Sequence, residues 1–152
     1  MLGIDIVSID RIKRIIDRSG VDFLHRFLNA DEIKQCIFES GAFNIQRIAG
    51  FYAAKEALSK ALGCGIGKNL AFSDIQIYKS KSGQPKVKLK KCVKKKFSVK
   101  KIHLSISHER HSHLQSVRFS SKCLNAPKDS SDKSPKGLES GYAIACVVLK
   151  YR

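Results

Sequence analysis

The sequence predicts an α+β domain on the strength of two patterns: one long helical stretch closed by glycines, and several short segments in which apolar and polar residues alternate. The helical stretch runs from about Ile45 to Leu62 and contains FYAAKEALSKALGCG, with Asn44 placed to cap its start and Gly63 and Gly65 placed to end it. The alternating segments lie near residues 75–77, 87–89 and 102–108, and short apolar strands are read at 3–8 and 142–149 on either side of the helix. A chain of 152 residues, 43% of them hydrophobic, suffices for one domain with a real core and is too short for two ordinary ones.

Residues 3–8, GIDIVS, form a short apolar strand that contains a carboxylate, Asp5. An acid between Ile4 and Ile6 has to be paired, hydrogen-bonded, metal-bound or placed at the strand's end. Ile9, Ile12 and Ile16 then recur at helical spacing, with Arg11, Lys13, Arg14 and Arg18 on the other faces and a stop near Gly20. That basic face is either simply solvated or a docking surface. Phe23, Leu24, Phe27 and Leu28 predict a further apolar turn or short helix. Asn29 and Glu32 form a capping-box pattern ahead of Ile33, Ile37 and Phe38.

Beyond the long helix, Ile75 and Ile77 pair with Val87 and Leu89 as a hairpin, with Ser82, Gly83, Gln84 and Pro85 supplying turn residues. Residues 90–101 are lysine-rich, with Val93 and Phe97 spaced for a short exposed helix, and 102–108 alternate as a strand. Residues from about 110 to 140 are too polar to offset their ordering entropy, which predicts a flexible insertion in a single domain spanning 1–152. Residues 142–149, YAIACVVL, predict a buried closing strand.

The formal net charge of +16 favours polyanionic partners. Eleven lysines fall between Lys79 and Lys101, yet only Tyr78 and Phe97 accompany them as aromatics and arginine is absent. That composition lacks the interleaved readers of a nucleic-acid module and looks like non-specific electrostatics or simply a solvated face, so nucleic acid is not the expected partner. Cys36, Cys64, Cys92, Cys123 and Cys146 are scattered without a CxxC pair, as in a reducing compartment. No apolar run is long enough for a membrane span, and the N-terminus lacks the pattern of a leader, so a cytoplasmic location is expected.

Three places carry candidate chemistry. Glu56 and Lys60 are i, i+4 neighbours on an apolar helix, and form either a structural ion pair or a face toward a charged ligand. Asp5 and Glu56 together suit magnesium, which in phosphate chemistry is held by one or two carboxylates with phosphates and water. Read singly, Asp5 caps the following helix and Glu56 pairs with Lys60. Gly63, Gly65 and Gly67 follow a helix instead of preceding one, which suits a C-cap better than a phosphate loop. His108 ends a strand where it can donate a hydrogen bond to an anion, or is an ordinary loop histidine. With His111 and His113 it matches no standard zinc pattern.

Taken together, GIDIVSIDRI, FYAAKEALSKALGCGIG, SGQP and SISHE, in that order and spacing, resemble the holo-(acyl-carrier-protein) synthase family of phosphopantetheinyl transferases, and GYAIACVVL resembles the family's last strand. The resemblance implies an antiparallel sheet packed on a long central helix, and a homotrimer with active sites between subunits. It implies transfer of 4′-phosphopantetheine from coenzyme A to a serine of apo-acyl carrier protein, in support of fatty acid biosynthesis. By motif, Asp5 and Glu56 would hold Mg2+, Lys60 would neutralise phosphate charge, and Glu56, directly or through a metal-bound water, is a candidate for the serine proton. His108 would contact the phosphorylated ribose, Gly83 and Pro85 would lie near the adenine, and Gly63 and Gly65 would line the pantetheine arm. Arg11, Arg14 and Arg18 would meet the acidic helix of the carrier protein. Phe51 stands where many members have an arginine, and Arg47 is the alternative phosphate contact.

Overall fold

A computed structural model describes residues 1–110 and 141–151. The insertion expected at about 110–140, with His111 and His113, lies outside the described residues apart from the end of a strand. The chain begins with β1 (Leu2–Ser8), after which α1 (Ile9–His25) starts on Ser8, whose side chain accepts from the Arg11 amide at 3.2 Å. Ser8, not Asp5, is therefore the helix cap. At Gly20 (φ 57°, ψ −143°) the helical backbone breaks, as expected, but a second helical segment resumes through Leu24 to His25. Next comes α2 (Ala30–Gln35), closed at its start by the Asn29–Glu32 capping box.

The central element is α3 (Ile45–Leu62). Asn44 caps it by accepting from the Arg47 amide at 3.0 Å, and Gly63 ends it in the left-handed conformation (φ 69°). Ile48, Ala49, Phe51, Ala53, Ala54, Ala57, Leu58, Ala61 and Leu62 are all buried, so the helix is apolar around most of its circumference and occupies the core. A hairpin of β2 (Ile75–Lys79) and β3 (Pro85–Leu89) follows, then α4 (Lys91–Lys96), anchored by buried Val93. Two long strands, β4 (Val99–Arg110) and β5 (Gly141–Tyr151), complete the chain.

β1, β5 and β4 form an antiparallel sheet in that order, in which Asp5 pairs with Ala145 and Ala145 with Ile106. Side chains alternate between the faces of a strand, so Gly3, Asp5, Val7, Ala143, Ala145, Val147, Leu104, Ile106 and His108 share the face that packs on α3. That face is thin by composition. A Cβ built on Gly3 would lie 2.0 Å from the Ala57 carbonyl oxygen, so β1 meets α3 backbone to backbone, beside the alanines of the KEA stretch.

The closing strand is half-buried, and this corrects the expectation of a wholly buried one. Ala143, Ala145, Val147 and Leu149 are covered, whereas Tyr142, Ile144 and Val148 stand exposed with Leu2, Ile4 and Ile6 of β1 on the outer face of the sheet. Among the described residues no helix is long and apolar enough to cross a membrane.

Candidate active site

The close approach at Gly3 positions Asp5 two residues further along the same face of β1. There its carboxylate accepts from the Lys60 ammonium at 2.8 Å. Asp5 is largely covered, with 14% of its side chain exposed, while Lys60 is half exposed and reaches in from solvent. Lys60 thus pairs with Asp5, not with Glu56, and the structural i, i+4 pair drawn from spacing is replaced by a contact between helix and strand. Fifty-five residues separate the partners, so only the packing of β1 on α3 brings them together.

Glu56 lies beside this pair, half-buried. Burial and the neighbouring Asp5 carboxylate push its carboxyl above the usual range, against the opposing pull of Lys60 and Ser59. Two carboxylates that repel one another at the end of a lysine are a donor set that a hard divalent cation would relieve. No group of three or more His, Cys, Asp or Glu converges among the described residues, so protein ligands alone do not close a metal cage. An open, two-carboxylate site is what magnesium uses when phosphate oxygens and water fill its remaining positions.

Tyr52, one turn before Glu56, belongs to the same neighbourhood. Its hydroxyl is pushed up by burial and by the charges of Glu56 and Asp5, and pulled down by Arg11. Its ring packs at 5.1 Å from Phe27 and 5.9 Å from Phe72. Nothing in helical periodicity singles Tyr52 out, because an aromatic on a buried helix reads as core. Arg11, whose charge acts on Tyr52, is exposed on α1 together with Arg14 and Arg18.

A cavity of about 220 Å3 opens on the other flank of α3. Arg47, Gly50 and Phe51 of α3 form one wall, Ile77, Tyr78, Lys79 and Pro85 of the hairpin another, and Ile106 and His108 of β4 the third. His108 and Pro85 are thus brought together with Arg47. Phe51 contributes an apolar surface where an arginine would add charge. Gly83 (φ 81°) shapes the hairpin turn, its amide donating to the Ser80 carbonyl at 2.9 Å, but it does not line the cavity. Gly63 and Gly65 (φ 64°) lie past the C-terminal end of α3, beyond Lys60. Tyr78 and Lys79 were not separable in the sequence from an ordinary strand and a lysine run.

The expected site residues therefore fall into two groups on opposite flanks of α3. Glu56 is nine residues from Arg47, half a turn out of phase at 3.6 residues per turn. Asp5 and His108 sit on opposite edge strands of the sheet, separated by β5 at roughly 5 Å per strand. Each group is open to solvent on its own side.

The family model described as the 4′-phosphopantetheinyl transferase superfamily matches residues 1–146. The chain is 50% identical over 109 residues to the holo-[acyl-carrier-protein] synthase of Aliarcobacter butzleri, covering 72% of this chain and 87% of that one. It is 42% identical over 125 residues to that of Sulfurimonas denitrificans, covering 82% and 98%. Its fold is similar to the crystal structure of Helicobacter pylori holo-[acyl-carrier-protein] synthase in complex with coenzyme A, with a TM-score of 0.71 at 37% identity over 99% of this chain and 100% of that chain.

Proposed function

The chain belongs to the 4′-phosphopantetheinyl transferase superfamily, and from that premise we infer that it transfers 4′-phosphopantetheine from coenzyme A to a serine hydroxyl of apo-acyl carrier protein, in support of fatty acid biosynthesis. The observation that carries this reading is the meeting of Asp5, Glu56 and Lys60 across the β1–α3 contact. The serine oxygen forms a bond to the phosphorus that bears the pantetheine arm, and the bridging bond of the pyrophosphate breaks. Adenosine 3′,5′-bisphosphate leaves.

Asp5 and Glu56 have the oxygen donors to hold a magnesium ion, which when bound neutralises the pyrophosphate and makes its phosphorus easier to attack. Lys60 sets a positive charge where phosphate charge accumulates. Glu56, with its carboxyl pushed upward, is matched to accept the serine proton directly or through one water. Arg47, Lys79 and His108 provide donors for phosphate and ribose around a partly apolar cavity suited to the adenine, with Pro85 on its wall. Gly83 shapes the turn beside it. Gly63 and Gly65 continue past Lys60 toward the pantetheine side. The test is whether apo-acyl carrier protein, given coenzyme A, magnesium and this protein, gains one phosphopantetheinyl group.

The two groups of residues face away from one another, so one chain does not offer both to a single cofactor. A homotrimer in which the cavity of one copy faces the Asp5–Glu56 cluster of the next completes the site. The exposed outer face of the sheet, with Ile4, Ile6, Tyr142, Ile144 and Val148, supplies apolar surface for that contact. Placing a charge in its middle by Ile144→Lys is expected to shift the protein from trimer to monomer in sedimentation and to abolish transfer. A trimer that persists with full activity rules this face out.

Arg11, whose charge acts on Tyr52 beside the cluster, is exposed on α1 with Arg14 and Arg18, and the three suit an acidic carrier protein. Arg11→Glu is expected to raise the KM for the carrier protein about tenfold, with little change in the KM for coenzyme A, and to flatten the salt dependence of kcat/KM.

A further inference from the structure

Lys55, next to Glu56 on α3, turns into the core and is 1% exposed, and Glu32 of α2 is fully buried. Their ion pair measures 2.8 Å. The ammonium also donates to the Phe27 carbonyl at 2.6 Å and the Phe72 carbonyl at 3.4 Å, so its three protons are all used. The Glu32 carboxylate accepts, besides Lys55, the Asn29 amide at 2.8 Å on one oxygen and the Ile77 amide at 2.7 Å on the other. Such a pair is costly to bury and is strongly destabilising only when one partner is removed. Stability alone does not explain placing it here.

The Ile77 contact gives the pair a consequence for the cavity. Among the described residues β2 pairs with β3 alone, which leaves its other edge without a strand partner. Glu32 takes the N–H of Ile77 on that edge and Gln35 donates to its carbonyl at 3.4 Å, so side chains of α2 stand in for a missing strand. Arg47, on the opposite cavity wall, donates to the Gln35 carbonyl. Ile77, Tyr78, Lys79 and Pro85 line the cavity. The buried pair thus ties the hairpin wall of the cavity to α3, the element that carries its other wall.

We propose that Lys55 and Glu32 are positioning residues for coenzyme A: through the Ile77 amide they hold the hairpin at the distance from α3 that the nucleotide end requires. This rests on the reading of the cavity as the nucleotide site. Removing the acceptor for Ile77 weakens coenzyme A binding and leaves the carboxylate cluster on the far flank of α3 intact.

Two double variants test that acceptor, and neither leaves a lone buried charge. In Glu32→Met/Lys55→Met the Ile77 and Asn29 amides both lose their partner, whereas Glu32→Gln/Lys55→Met keeps one amide oxygen, which the Ile77 amide can use. The first is expected to raise the KM for coenzyme A about tenfold with kcat within about threefold of wild type, and the second to recover KM to within about threefold. Equal KM values in the two variants, or a loss confined to kcat, would overturn the proposal. A folding defect in either variant is met by hydrogen exchange on the unaltered protein. There the Ile77 amide should be protected as strongly as the core of α3, and exchange as fast as an open edge strand would overturn the proposal equally. Calorimetric titration of the unaltered protein with coenzyme A separates the two levels: no binding removes the nucleotide reading itself, whereas binding with an unmoved KM in the first variant removes only the positioning role.

Discussion

Glu56→Gln is expected to lower the rate of phosphopantetheine transfer by roughly 10²- to 10⁴-fold, the range in which a general base contributes, while leaving the fold intact. Asp5→Ala should produce a loss of similar size. The two variants should differ in stability, because Asp5→Ala strips Lys60 of its partner whereas Glu56→Gln relieves a repulsion. Since the Glu56 carboxyl is pushed above its unfolded value, the folded state holds that proton more tightly than the unfolded one. The Glu56 contribution to stability is then greatest below the ordinary carboxylate range and declines as pH rises through the raised Glu56 value. Glutamine mimics the protonated acid at every pH. The Tm of Glu56→Gln should therefore exceed that of wild type at neutral pH without added magnesium, and match it near about pH 3. Scanning calorimetry at the two pH values, beside initial rates, checks both halves. Wild-type turnover in either variant would remove the carboxylates from the chemistry.

Gly3→Ala is expected to destabilise the protein by about 3 kcal/mol or more, the upper end for overpacking, because the added methyl meets backbone that cannot rotate aside. Its Cβ would lie 2.0 Å from the Ala57 carbonyl oxygen, 2.5 Å from the Ala61 nitrogen and 2.9 Å from the Ala61 Cβ. Relief requires β1 to lift off α3, and that carries Asp5 away from Lys60 and Glu56. Activity should fall even under conditions where the variant is folded. Urea denaturation measures the first effect and assay of the folded fraction the second. A change below about 0.5 kcal/mol, ordinary for an open surface position, would show that the strand and helix are not in backbone contact.

Much of the scaffold was legible because its boundaries are written in local chemistry. Asn44 and Gly63 delimit α3 by a side-chain cap and a left-handed residue, Asn29 and Glu32 spell a capping box, and Gly20 marks the break in α1. What local pattern does not carry is the partner of a charge. Glu56 and Lys60 have the spacing of an ion pair, yet Lys60 finds Asp5, because β1 is allowed close to α3 by a glycine that reads in sequence as one strand residue. Glu32 reads as half of a capping box, which it is, but its second oxygen depends on β2 arriving from forty-five residues away and its bond to Lys55 on α3 arriving from twenty-three. The alternation of β5 hides its exposed half, since Tyr142, Ile144 and Val148 are as apolar as their buried neighbours. An apolar residue on an outer face and one in a core look alike until the face that α3 covers is known.

The most direct measurement is the intact mass of apo-acyl carrier protein after incubation with coenzyme A, magnesium and the purified protein, with a carrier protein whose acceptor serine is replaced by alanine as control. The expected result is a mass gain of one phosphopantetheinyl group on the serine-bearing carrier alone, with stoichiometric release of adenosine 3′,5′-bisphosphate and near-complete loss of both in Glu56→Gln. An unmodified carrier across a range of salt and pH, from a protein that is folded and binds coenzyme A, would contradict the assignment of this chain as a phosphopantetheinyl transferase.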